Sequence, residues 1–300
     1  MGEIWGILAA VLSSGLGGTA VGATRYVVGA SDPLAIGAFR FGIGFVFLLP
    51  LAAGRRARWP PRSDWPAVMA LGLLFFGLFP ILFNASLIFT TAARAALALS
   101  TLPLLTMAVA AGLRVEPLTR RKSVGVLIAM AGVAVALLTG LASAPAGAWR
   151  GDLLMVGAAF CMALYNVWSK PLIRRSGPLP FTAMGMGAGA LSLAIVSWVR
   201  GGFAAAARFD GAQWLAIAYL GIFGAAIIFF LWSYALERTT PTRVAISVTV
   251  NPVTASLVGA ALLGEPIHWN LVLGLATVLV GILLASTRGR RADAPVTAAG

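Results

Sequence analysis

Runs of about twenty apolar residues follow one another along the whole of this 300-residue chain. A run of that length is what an α-helix needs to cross the hydrocarbon core of a bilayer. Ten such spans are expected, over 4–26, 34–53, 65–89, 94–114, 122–141, 153–173, 181–200, 214–236, 243–263 and 269–287. Only 10% of the residues are charged and 60% are hydrophobic, against about 25% charged in a soluble domain. The fold class expected is therefore an all-α integral membrane protein. No basic stretch precedes the first run, so a cleavable signal peptide is not expected. Cys161 is the single cysteine, which excludes a disulfide within the chain and argues against a cysteine-rich metal site. A net charge of +13 would suit nucleic acid. The basic residues lie in short loops between apolar runs, however, where they orient helices in the membrane, and nucleic acid is not an expected partner.

Two stretches repeat one pattern. LSTLPLLTMAVAAGLRVEP runs from Leu99 to Pro117, and VTVNPVTASLVGAALLGEP from Val248 to Pro266, a shift of 149 residues. The same shift brings Gly2-Glu3 onto Gly151-Asp152, Trp65 onto Trp214, Leu71-Gly72 onto Leu220-Gly221, Arg94 onto Arg243, Gly125 onto Gly274 and Gly132 onto Gly281, without a gap. The chain reads as a duplication, with five-helix units over 1–141 and 151–288 and a cytoplasmic tail over 289–300. Because five is odd, the second unit enters the membrane from the opposite side. With both termini cytoplasmic, 16 basic residues fall in cytoplasmic segments, among them Arg55, Arg56, Arg120, Arg121, Lys122, Lys170 and Arg174. Only five, Arg25, Arg94, Arg150, Arg200 and Arg208, fall outside, as the positive-inside rule asks. The units are expected to be inverted.

Inverted repeats recur in secondary transporters, where the substrate site lies near the midplane and paired proline-interrupted spans point to it. Pro103 and Pro252 lie mid-span at matched positions, where each frees the carbonyl four residues earlier, those of Leu99 and Val248. The plainer reading is a packing kink, since prolines are common in membrane helices. Pro80 is a third candidate kink. Around these prolines stand Asn84, Ser100, Thr101 and Thr106, then Tyr165, Asn166 and Trp168, then Trp232, Ser233 and Tyr234, and then Thr249, Asn251 and Thr254. Each alone can serve as a helix–helix hydrogen bond. As a group they suggest a mildly polar, aromatic-walled chamber for a small amphipathic solute.

The nine carboxylates, from Glu3 to Asp293, all fall at span ends or in loops. An intramembrane aspartyl protease needs two at mid-depth, and most proton-coupled carriers use one. Glu116 and Glu265, just before spans five and ten, suit the positive ends of those helices. His268 stands alone near a loop, and no phosphate-cradling glycine loop is present. No enzyme, cofactor or metal signature is visible. Arg40 is the one charge well inside a span. It can anchor that helix by reaching toward the nearer interface, or it can meet a substrate carboxylate. Gly18, Gly22, Gly185 and Gly189 suit close helix packing.

At these residues the sequence resembles the drug/metabolite transporter superfamily, in its ten-helix EamA-type members. The resemblance is carried by Phe39-Arg40-Phe41, by Thr90-Thr91-Ala92-Ala93 leading to Pro103 and Glu116-Pro117, by Gly151-Asp152-Leu153, and by Thr239-Thr240-Pro241-Thr242 leading to Pro252 and Gly264-Glu265-Pro266. Arg114-Val115 and Cys161 depart from the family's usual Leu-Gly and tryptophan. The resemblance implies a bacterial inner-membrane exporter of small metabolites, closest to exporters of neutral and aromatic amino acids. Export of drugs or lipophilic cations is the alternative within transport, and a non-transport membrane scaffold the alternative outside it. The expected partners are the amphipathic solute and the lipid bilayer. The oligomeric state stays open, with a monomer compatible.

Overall fold

The computed structural model describes residues 2–28, 32–54, 57–90, 92–136, 146–255, 257 and 269–286. Among them every regular element is helical. Seven stretches are long and apolar enough to cross a membrane: Gly2–Ala20, Pro33–Ala52, Arg62–Ser86, Arg94–Gly112, Ala148–Ser176, Pro178–Val199 and Gly211–Arg238. Arg120–Ala136 and Trp269–Ser286 form a further helix pair. The expected ends of spans five and nine, Glu265, His268 and the tail fall outside the described residues.

Glycine contacts set how the two copies meet. A Cβ added to Gly125 would lie 2.8 Å from the Gly281 carbonyl oxygen, and one on Gly132 would lie 2.9 Å from that of Gly274. Helices Arg120–Ala136 and Trp269–Ser286 therefore cross antiparallel with their backbones in contact. In the 149 register Gly125 matches Gly274 and Gly132 matches Gly281, so each glycine touches the counterpart of the other, as a two-fold axis requires. Pro33–Ala52 and Pro178–Val199 repeat the arrangement. Cβ atoms on Gly37 and Gly44 would lie 3.1 Å from Leu193 and 2.7 Å from Met186, and the register again pairs Gly37 with Met186 and Gly44 with Leu193. Small residues here give van der Waals closeness, the attraction left where lipid is as apolar as the protein. The remaining neighbours alternate in direction. Gly2–Val28 runs antiparallel to Gly211–Arg238, through Gly6 against Arg238 and Ser13 bonded to the Ile228 carbonyl. Ala148–Ser176 runs antiparallel to Phe79–Phe89, through Gly151 against Ser86 and Thr90.

Spans three and eight each hold a six-residue π-helical segment, Leu73–Leu78 and Ile222–Ile227, at matched register. In the first the Phe79 N–H bonds to the Leu74 carbonyl, an i→i−5 bond. That wide turn lies just before Pro80, whose ring would otherwise meet a carbonyl of the preceding turn. The kink expected at Pro80 is thus a π turn, and its counterpart forms without a proline.

Span four, read as one helix over 94–114, divides at Ser100-Thr101 into Ala92–Leu99 and Leu102–Gly112, with Pro103 in the first turn of the second piece. Its counterpart divides into Pro241–Ile246 and a 3₁₀ turn, Ser247–Val250, before Pro252. The Val248 carbonyl is not freed as expected, because the tightened turn gives it the Asn251 N–H. Glu116 also differs from expectation. It is buried and accepts the Thr242 N–H at 3.1 Å, in the first turn of Pro241–Ile246, while its other oxygen takes Lys122 Nζ at 2.8 Å. The carboxylate thus caps a helix of the other copy, where the N–H groups are unsatisfied.

Gly72 tests this packing, because a Cβ there would lie 2.3 Å from the Gly185 carbonyl oxygen. Gly72→Ala is expected to destabilise the purified protein by about 1–3 kcal/mol. Gly42→Ala, with open space around it, should leave stability level or raise it by up to about 1 kcal/mol. Thermal unfolding in detergent measures both.

Candidate functional site

The predicted polar residues divide by what their side chains do. Tyr165, Asn166 and Ser233 come together, and three further side chains join them. Tyr165, Asn166 and Ser169 occupy one turn of Ala148–Ser176 and are all buried. Trp232 and Ser233 come from Ile228–Arg238, and Thr182 lies one turn into Pro178–Val199. Trp232 Nε1 donates to Asn166 Oδ1 at 2.8 Å, and the Thr182 and Ser233 hydroxyls are hydrogen-bonded at 2.7 Å. The Tyr165 hydroxyl faces Ser233, while two atoms of the same turn, Asn166 Nδ2 and Ser169 Oγ, are buried without a hydrogen-bond partner. Thr106 Oγ1 is in the same condition on Leu102–Gly112, a helix that packs against Ala148–Ser176. A buried polar group left unmatched costs about 1–3 kcal/mol, and such groups in a native structure ask for a function.

Aromatic rings wall this turn. Tyr165 stacks on Phe75 with centroids 4.2 Å apart and a 22° interplanar angle. Phe76 meets it edge-on at 6.1 Å, and Phe181 lies 6.2 Å away. Phe229 packs edge-on against Phe75 at 5.2 Å and Phe76 at 5.0 Å, and Phe41 lies 5.4 Å from Phe76. Phe75 and Phe76 are held by the π segment of span three, so the wide turn supports the wall. Phe41 carries the wall on to Arg40, whose guanidinium lies 5.5 Å from the Phe41 ring. Arg40 does not simply run to the interface. Its Nε donates to the Gly224 carbonyl at 3.2 Å and its Nη2 to the same oxygen, and Gly224 lies in the second π segment. Among the described residues no carboxylate forms a salt bridge with it.

The other candidates stand apart from this cluster. Ser100, Thr101 and Thr249 return their hydroxyls to the Ala96, Ala98 and Ile246 carbonyls at 2.7–2.8 Å, so they serve the helix breaks. Asn251 lies flat on Gly17, where a Cβ would come within 3.0 Å of its Oδ1, and that oxygen is unpartnered. Tyr234 lies under the Arg238 guanidinium, 3.5 Å from its ring centroid. Asn84 is half-buried on Phe79–Phe89. Trp168 is 46% exposed, on the stripe of its helix that also exposes Trp149, Leu153 and Phe160, so it faces outward instead of lining a chamber. Pro103 and Pro252 stand at the two breaks. Ser169 and Thr182 were legible only weakly, Ser169 as the residue one turn beyond Tyr165. Phe75 and Phe76 gave no signal among many apolar neighbours.

The cluster offers neutral hydrogen-bonding groups beside aromatic rings. It carries no nucleophile–base pair for covalent chemistry.

The fold is a helical membrane bundle in which a polar turn lies buried against aromatic rings. The chain matches the model of the EamA-like transporter family over 2–138 and again over 149–287, and it belongs to that family. An uncharacterized transporter of Archaeoglobus fulgidus is 28% identical over 272 residues, covering 89% of this chain and 93% of its own. A protein of Streptantibioticus cattleyicolor named a probable terminal-alkyne amino-acid exporter is 29% identical over 251 residues, 82% of each chain. Among solved structures, one titled "Crystal structure of protein" superposes with a TM-score of 0.76 at 24% identity over 97% of this chain and 98% of its own, a likeness of fold.

Asn166→Leu should destabilise the protein by about 1–3 kcal/mol, because it leaves the Trp232 indole N–H buried without its acceptor. Trp232→Phe added to it should restore part of that loss, since both partners are then apolar. A double-mutant cycle from thermal unfolding in detergent reads the difference.

Proposed function

We propose that this protein exports small neutral amino acids, aromatic ones foremost, across a bacterial inner membrane by alternating access. Ten spanning helices form two inverted halves over 1–141 and 151–288, with both termini and a tail over 289–300 in the cytoplasm. The antiparallel, reciprocal contacts of Gly125 with Gly281 and Gly132 with Gly274 support the inversion. The observation that carries the substrate reading is the buried turn at Tyr165, Asn166 and Ser169, with two unpartnered polar atoms, Asn166 Nδ2 and Ser169 Oγ, beside the stacked Tyr165 and Phe75 rings. An aromatic amino acid supplies both complements, a ring for the wall and polar groups for the turn.

Arg40 is a candidate for the substrate carboxylate. It uses two donors on one carbonyl oxygen, and a guanidinium has five in a fork that fits a carboxylate. Its link to the wall through Phe41 places a charge at one end of an apolar body. A lipophilic cation would instead need a buried acid near the rings. The described carboxylates, Glu3, Asp32, Asp64, Glu116, Asp152, Asp210 and Glu237, all lie at helix ends or in the adjoining turns. The partners in this reading are the solute and the lipid bilayer, and a monomer is compatible with it.

Proteoliposomes loaded with unlabelled tryptophan test the reading by counterflow of labelled tryptophan without a pH gradient. Uptake well above that of empty liposomes is expected. Tyr165→Phe and Ser169→Ala should each raise the KM by about five- to tenfold, the equivalent of about one hydrogen bond. Accumulation of a lipophilic cation in place of any amino acid overturns the substrate reading.

A further inference from the structure

Two ion pairs join the halves, and the 149 register maps one onto the other. Arg243 pairs with Glu3, and Arg94 pairs with Asp152. Glu3 matches Asp152 and Arg94 matches Arg243 in the duplication. Each acid opens the first helix of one copy, and each arginine stands near the start of the broken helix of the other. The exchange is the one the reciprocal glycines show, so the pairs obey the same two-fold axis.

Helix Ala148–Ser176 measures how far apart they lie. Asp152 is in its first turns, while Lys170, near its other end, donates to the Thr239 carbonyl, four residues from Arg243. Eighteen residues separate Asp152 from Lys170, about 27 Å at helical rise. The Asp152–Arg94 and Glu3–Arg243 pairs therefore close opposite ends of the bundle. A glycine beside each acid lets the helices press together. A Cβ on Gly6 would lie 3.0 Å from Arg238 Cβ, and one on Gly151 would lie 2.8 Å from Thr90 Cβ. Thr90 Oγ1 also donates to Asp152 at 2.9 Å. The pairs are half-shielded, with side-chain exposures of 27–29% for Arg94, Asp152 and Glu3 and 9% for Arg243. In that setting, removing one partner leaves a poorly solvated charge. Beneath the Glu3 pair the helices meet through small polar groups that can part, Ser14 against Ser247 at 2.8 Å and Gly17 against Asn251.

We propose that Glu3–Arg243 and Asp152–Arg94 are the two gate latches of the transport cycle, each holding one end of the chamber shut and opening in alternation. They are positioning residues, remote from the solute. Both are made in this structure. The inference rests on the alternating-access reading, and it is indifferent to which solute is carried.

Matched cysteine probes test it in the full-length protein with Cys161→Ala. Ala95 and Val244 are counterparts, both buried beside an arginine of a latch. In detergent, reagent reaches both ends, so the maleimide labelling rate at Ala95→Cys or Val244→Cys reads the local latch alone. Asp152→Asn should speed labelling at position 95 about tenfold, the equivalent of one charge-assisted bond, and leave or slow that at 244. Glu3→Gln should do the reverse. Exchanging the charges, Asp152→Arg with Arg94→Asp, should return position 95 toward the starting rate. Equal acceleration at both ends would mean general loosening, and it overturns the proposal, as does no change at either end or a charge exchange that fails to restore closure. Alternating labelling in a protein that shows no tryptophan counterflow keeps the latches and removes the substrate reading.

Discussion

Inside a bilayer a peptide group that leaves the helical ladder has no water to turn to and must find its partner within the protein. The departures from regular helix in this chain are arranged around that constraint. At the break before Pro252 the turn tightens, so that the Val248 carbonyl receives the Asn251 N–H. At the break before Pro103 the Ser100 and Thr101 hydroxyls bond to the Ala96 and Ala98 carbonyls. In the second π segment the Gly224 carbonyl receives the Arg40 guanidinium, and the Thr242 N–H in the first turn of Pro241–Ile246 donates to the buried Glu116. Two of these bonds reach across from another helix. The irregular backbone is therefore a joint between elements.

The duplication gives each copy a joint of its own. Helices Arg120–Ala136 and Trp269–Ser286, one from each copy, cross antiparallel at Gly125, Gly132, Gly274 and Gly281. The symmetry is not complete, and its breaks have chemical content. Arg40 matches Gly189, and Gly224 matches Phe75. One copy therefore puts an arginine against its partner's π segment where the other presses a glycine against Phe76. One contact gains a charge and the other gains ring surface.

Hydrophobic length, register and charge bias are local or pairwise properties of a sequence, which is why so much of the architecture was legible. The seven apolar helices long enough to cross a membrane, the 149 shift and the close packing at Gly18, Gly185 and Gly189 all follow from them. The site was legible in part. Tyr165, Asn166 and Ser233 stand out as polar groups in apolar helices. Trp168 stands out in the same way, yet it faces outward, because a side chain's direction depends on helix rotation, which neighbours decide. Phe75 and Phe76 could not be singled out from sequence, since aromatic residues on any membrane helix look alike until a π turn and a facing tyrosine give them a role.

By itself the sequence determined that this chain enters a membrane as a duplicated set of helices, because transfer of apolar surface and the repeat register need no knowledge of distant contacts. It also placed the acids at the helix ends and the prolines at mid-depth. Only the tertiary structure decided which atoms those features meet. Glu116 serves another copy's helix, Arg40 a carbonyl in a π turn, and Glu3 and Asp152 each an arginine of the opposite half. Such pairings depend on helix rotation, tilt and crossing, which arise when small residues let particular backbones touch.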